Sequence, residues 1–132
     1  MKTRVIYEKE KSKQLLIREG ITSTFAYQPA INDLLENDKK DYGIFFTPER
    51  IVDFMVNLID TSRFANKQDI NILEPACGLA QFLIGIKRNY LSLYRKAQTI
   101  GVEINKDIID YFTNLKIIDD IKLIHSDYLL WE

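Results

Sequence analysis

The residues best suited to chemistry lie at three points of the chain. Glu74-Pro75-Ala76-Cys77-Gly78-Leu79-Ala80-Gln81 follows a short apolar run, Ile70 to Leu73. Its small residues let backbone amides and a helix N-terminus come close to a ligand. Gly101-Val102-Glu103-Ile104-Asn105 ends a second apolar run and puts an acid 25 residues after Gly78. That is roughly the offset at which nucleotide-binding folds place a carboxylate that accepts from both ribose hydroxyls. Ser126-Asp127-Tyr128-Leu129 ends a third run, with an aspartate able to accept from an exocyclic adenine amino group. Each point also has a plainer reading: a tight turn, a solvent-facing glutamate, a turn-capping aspartate. Chance supplies all three at successive strand ends far less often than any one of them.

The elements that must position these residues follow from periodicity. The pattern predicts a strand over Ile70 to Leu73, a helix from about Gln81 to Ala97 and a strand over Thr99 to Ile104. A helix over Lys106 to Leu115 and a strand over Ile121 to His125 complete the series. This is βαβαβ, the parallel half-unit of a nucleotide-binding sheet, so the fold class is α/β. Upstream, Thr47-Pro48-Glu49 reads as a helix start, with a cap hydroxyl, a proline in the first turn and an acid favoured by the helix dipole. Ile51, Val52, Phe54, Met55, Leu58 and Ile59 give that helix a wide apolar stripe that must lie against a sheet or another helix, and it ends near Asp60 to Arg63. Residues 2–19 read as a short charged helix with Leu15, Leu16 and Ile17 before Gly20. Pro29 to Asn37 reads as a surface helix with Ile31, Leu34 and Leu35 on one face. The expected division is an N-terminal helical segment over 1–41 and a cofactor-binding unit over 42–132.

Composition narrows the function classes. The 132 residues, 46% hydrophobic, suffice for one domain with a modest core. Eighteen basic and 19 acidic side chains give a net charge of -1, so charge alone offers no argument for binding a phosphate backbone. One cysteine, Cys77, excludes an internal disulfide, and with one histidine, His125, it cannot make a structural zinc site of those ligand types. No signal-peptide core is present and no run reaches the roughly 18 to 20 apolar residues that span a bilayer, so a soluble, cytoplasmic protein is expected, with no membrane partner.

Taken together the motifs resemble those of the N6-adenine-specific DNA methyltransferases of restriction-modification systems, in the subgroup whose cofactor motifs precede the catalytic one. The resemblance covers about residues 42–132. Gly43-Ile44-Phe45-Phe46-Thr47-Pro48 is similar to the family segment that packs against the methionine end of S-adenosylmethionine. Glu74-Pro75-Ala76-Cys77-Gly78 followed by Phe82-Leu83 is similar to the family's acid-Pro-Ala-Cys-Gly signature, a far more specific match than a lone glycine pattern. Glu103-Ile104 resembles the ribose-binding strand end, and Asp127-Tyr128 the adenine-binding segment. The resemblance therefore implies a partial Rossmann-like class I methyltransferase fold and S-adenosylmethionine as cofactor. It implies binding through Phe46, Thr47, Pro48, Glu74, Pro75, Ala76, Cys77, Gly78, Phe82, Glu103, Ile104, Asp127 and Tyr128. Ala80 departs from the pattern, since the family often has a second glycine there. Its methyl group either crowds the cofactor or replaces one small residue by another, and the harmless substitution is favoured. Cys77 is read as structural rather than nucleophilic, with no histidine nearby in sequence. His125 is read as a core or strand-end residue rather than a base.

The family transfers its methyl group at an Asn-Pro-Pro-aromatic segment, whose aromatic stacks on the flipped adenine. No two prolines are adjacent in this chain. No catalytic residue is therefore assigned, and no methyl transfer is expected from the chain alone. DNA is the expected partner of the full-length enzyme, not of this chain by itself. A sheet order of 3-2-1-4 with strand four lacking would leave Ile70, Ile72 and Leu73 on a bare strand-one edge, which predicts a homodimer or a completing chain. Two other readings stay open: a non-catalytic interaction module derived from a methyltransferase, and a methyltransferase part acting on RNA or protein.

Overall fold

The computed structural model describes Leu35, residues 44–115 and residues 120–131. The helices expected over 2–19 and 29–37 lie outside these residues apart from Leu35, which is fully buried in the core. In chain order the elements are α1 (Glu49–Val56), a 3-10 turn (Thr61–Phe64), β1 (Ile70–Glu74), α2 (Gln81–Asn89), α3 (Leu91–Lys96), β2 (Ala97–Glu103), α4 (Lys106–Leu115), β3 (Lys122–His125) and a second 3-10 turn (Tyr128–Leu130). The strands form one parallel sheet in the order β1-β2-β3, with Glu74 opposite Gly101 and Glu103 opposite His125. Parallel strands need crossovers, and α2 with α3, then α4, supply them. The α/β half-unit and the strand order thus agree with the expectation. The three strands also end at one side of the sheet, where ligands of open parallel sheets bind.

The core lies where Leu79, Leu83, Ile84, Ile108, Phe112 and Tyr94 meet, with Ile72 and Leu123 packed against it from the sheet. Each fully buried aliphatic or aromatic side chain there contributes on the order of 1.5–3 kcal/mol by leaving water. Burial of Leu79 and Ala80, both at 0% exposure, anchors the cofactor-type loop into this core.

Three expectations are corrected by tertiary contacts. The long helix from Gln81 breaks at Tyr90, whose backbone (φ -135°, ψ 56°) ends α2 and starts α3. At the break the Asn89 amide donates to Asp53 at 2.7 Å and the Tyr90 hydroxyl to Asn57 at 3.2 Å, so side chains at the end of α2 are recruited towards α1. Thr47 does not cap α1. Pro48 is the capping residue and the Pro48 carbonyl accepts from Ile51 and Val52, because the proline holds an extended ψ of 140° just before the helix. Finally, the apolar stripe of α1 is only partly used. Val52 and Val56 are buried, whereas Ile51, Phe54, Met55 and Leu58 are exposed. The buried part is narrow because α1 meets α2 at Gly85: a Cβ there would lie 2.6 Å from Val52 Cγ1. The helices therefore come close along one line.

Candidate functional site

The loop after β1 is shaped by two residues in the left-handed region, Gly78 (φ 48°) and Ala80 (φ 54°). A turn closed by the Ala80 amide on the Cys77 carbonyl at 2.6 Å joins them and delivers the chain into α2. Glycine takes such a conformation without cost, while alanine pays roughly 1–2 kcal/mol for it. The Ala80 methyl is wholly buried among core residues, so it does not project into the open side of the loop. Ala80 gives α2 no side-chain cap, and in the first turn a backbone hydrogen bond from Leu83 goes to Glu74.

Glu103 ties the loop to the end of β2. Its Oε2 accepts from the Gly78 amide at 2.8 Å and its Oε1 from the Asn105 amide at 2.8 Å. The side chain is only 8% exposed. Each carboxylate oxygen has a second lone pair, so both can accept once more. Asn105 in turn caps α4, its Oδ1 accepting from the amides of Asp107 and Ile108. The third strand joins through the Ser126 amide, which donates to the Glu103 carbonyl at 3.0 Å, and through His125 Nε2, 3.0 Å from the Ile104 carbonyl. Three strand ends are thus linked through residues 103–105.

Cys77 is 4% exposed and lies against Gly101, where a Cβ would sit 2.8 Å from Cys77 Sγ. Burial, with the charges of Glu74 and Glu103 adding to it, pushes the thiol pKa well up, which works against a nucleophilic thiolate. Glu74, at the end of β1, is also pushed up, to about 8. Burial is the main cause, a backbone hydrogen bond from Leu83 opposes it, and the Glu103 charge adds to it. Its Oε2 is buried with no hydrogen-bond partner.

Of the sequence-selected residues, Phe46, Cys77, Gly78 and Glu103 are brought together directly, since the Phe46 ring lies 3.8 Å from where a Gly78 Cβ would stand. Pro75 and Ala76 are exposed on the loop and Phe82 is half-buried in the first turn of α2. Ile104 lies just past β2 and is 50% exposed. Asp127 accepts from the Leu129 amide at 3.0 Å and so caps the last 3-10 turn, with Tyr128 exposed beside Trp131. Thr47 and Pro48 lead into α1. Sequence reasoning missed the link from His125 to Ile104, the cap by Asn105 and the clearance at Gly101. Only the cap had a visible signal, Asn105 directly before a helical pattern.

This arrangement is that of a class I methyltransferase fold, for which the implied cofactor is S-adenosylmethionine. A crystal structure from Listeria monocytogenes, assigned as a class I S-adenosylmethionine-dependent methyltransferase, superposes with a TM-score of 0.58 and 26% identity, covering 86% of this chain and 35% of that one. The family follows from the sequence match: the model of the N-6 DNA methylases fits residues 23–125, and the chain belongs to that family. Type II methyltransferase M.CvrRI of Paramecium bursaria Chlorella virus XZ-6E is 32% identical over 72 residues, 54% of this chain and 17% of the viral protein. The chain therefore spans about a sixth of the one relative and about a third of the other.

Proposed function

We propose that this chain forms the S-adenosylmethionine-holding part of a site-specific DNA adenine-N6 methyltransferase of the restriction-modification type. The observation that carries the reading is the junction at Glu103, a buried carboxylate that fixes two strand-end loops and keeps lone pairs for ribose hydroxyls. The orphaned Glu74 oxygen supports the fit, since a buried carboxyl with one unpartnered oxygen beside the start of α2 suits a ligand that carries an ammonium group, a carboxylate and a sulfonium. Phe46 and Gly78 would flank the methionine end, Glu103 and Ile104 the ribose, and Asp127 with Tyr128 the adenine. When bound, the cofactor supplies an electrophilic methyl group on sulfur. With no Asn-Pro-Pro-aromatic segment in its sequence, the chain is assigned cofactor binding and no transfer step of its own. Calorimetry with S-adenosylhomocysteine tests this: the chain should bind, and Glu103→Ala should lose at least tenfold in affinity. Unchanged binding by that variant would overturn the assignment of the ribose end.

The same reading gives the β1 side of the sheet a partner. Among the described residues β1 is an edge strand, with Leu73 exposed, and beside it runs a groove of about 250 Å³ lined by Ile59, Phe64, Ile70, Ile72, Ile86 and Leu93. Apolar strand edges recruit further strands. A second copy or a completing chain is expected there, so light scattering should give a mass above that of one chain, and a strict monomer with freely exchanging β1 amides would count against it. Among the described residues no helix is long and apolar enough to cross a membrane.

A further inference from the structure

We propose that His125 is a positioning residue for the nucleoside end of the site, holding the Ile104-Asn105 turn so that the Glu103 carboxylate stays aimed. The inference rests on the cofactor reading above. The β2-β3 ladder ends at the Glu103-His125 pair, with the Ser126 amide on the Glu103 carbonyl as its last link. The Ile104 carbonyl is the first group beyond the ladder. His125 Nε2 reaches it at 3.0 Å, and because a carbonyl only accepts, that nitrogen carries the proton.

The turn matters because Glu103 grips it from the other side, through the Asn105 amide, while Asn105 fixes the start of α4. If the Ile104 carbonyl rotates, the Asn105 amide rotates with it, since the two belong to one rigid peptide plane, that of the Ile104-Asn105 bond. One arm of the Glu103 carboxylate is then lost, and the exposed Ile104 side chain moves too. His125 is exposed, at the last position of β3, and is not among the described core residues. Its bond therefore acts on the turn rather than on the interior.

The test uses the full 132-residue chain with S-adenosylhomocysteine and adenosine as ligands in calorimetry, with thermal melting of each ligand-free variant alongside. His125→Leu should weaken both ligands about fivefold, with a melting temperature close to that of the parent chain. His125→Gln, whose amide can still donate to the Ile104 carbonyl, should restore most of the affinity. A purely structural role predicts instead a lower melting temperature for both variants and no rescue of binding by glutamine. Parent-like affinity in His125→Leu, or an equal loss in His125→Gln, overturns the role of His125 while leaving the cofactor reading intact. A parent chain that binds neither ligand overturns the cofactor reading, and this inference with it.

Discussion

Two carboxyl groups, one at the α1-α2 contact and one at the end of β1, meet opposite treatment. Asp53 on α1 accepts from Arg88 at 2.5 Å and from Asn89 at 2.7 Å, and Arg88 also reaches Glu49 at 3.6 Å. Desolvation acts to raise the Asp53 pKa, but the hydrogen bonds from Arg88 and Asn89 and the Arg88 charge outweigh it, so the pKa is lowered. Glu74 is buried beside another acid, has an oxygen with no partner, and is raised to about 8. The first contact holds two helices together and is electrostatically complete. The second sits at the candidate site and is incomplete by itself. Stability and binding capacity are thus placed in different parts of the molecule, and the Glu74 oxygen left unpaired lies where a ligand would supply the partner.

The largest effect should come from closing that deficit. Glu74 has a folded pKa above its ordinary value of 4.5, so between about 4.5 and 8 the folded chain holds a proton that the unfolded chain has lost, and stability falls as pH rises through that window. At pH 7 the accumulated cost is on the order of 3 kcal/mol. Glu74→Gln should therefore be more stable than the parent at pH 7 by up to about 3 kcal/mol and nearly unchanged at pH 4, as read by urea denaturation across pH. Asp53 works in the other direction: its stabilising contribution is present above the ordinary carboxyl range and is lost as pH falls through its lowered pKa. The acid limb of the profile should survive in Glu74→Gln, and a parallel loss of both limbs would mean that the two regions are not separate.

The next effect concerns packing alone. Gly85→Ala places a methyl group 2.6 Å from Val52 Cγ1 and 3.4 Å from Val56 Cγ2, both on buried β-branched side chains with little freedom to move. Alanine also improves helix propensity by about 1 kcal/mol, which offsets part of the clash. A net loss of about 1–2 kcal/mol in chemical denaturation is expected, with S-adenosylhomocysteine affinity unchanged. A drop in affinity of tenfold or more would show that the helix contact reaches the site and that the division drawn above is false.

How much of this was legible in the sequence differs between the same two regions. The strand-end loops were readable because their chemistry is local: Gly78, Glu103 and Asp127 each sit at a strand terminus announced by an apolar run. The bounds of α4, Lys106–Leu115, were read correctly for the same reason. The α1-α2 contact was not readable, because the break at Tyr90 depends on Asn57, Asp53 and Asn89 meeting across more than 30 residues. Likewise the apolar face of α1 gave no hint that Phe54 and Leu58 would remain exposed, since periodicity reports a face and not what covers it. The His125 link was invisible for a related reason: it needs the register of β2 against β3, which no single segment encodes.

The smallest effect should come from Ala80, and its smallness is the informative outcome. Glycine at this position would relieve roughly 1–2 kcal/mol of left-handed backbone cost. Against that, the unfolded chain gains conformational freedom worth about 0.5–1 kcal/mol. A fully buried methyl is also lost, worth about 0.8 kcal/mol. These nearly cancel, so Ala80→Gly should change stability by less than about 1 kcal/mol in urea denaturation. Affinity for S-adenosylhomocysteine should also stay level, because the methyl is enclosed by Leu79, Leu83 and their core neighbours rather than by the site. A several-fold gain in affinity would instead place that methyl against the ligand and move the boundary between packing and site by one residue, from the first turn of α2 into the loop.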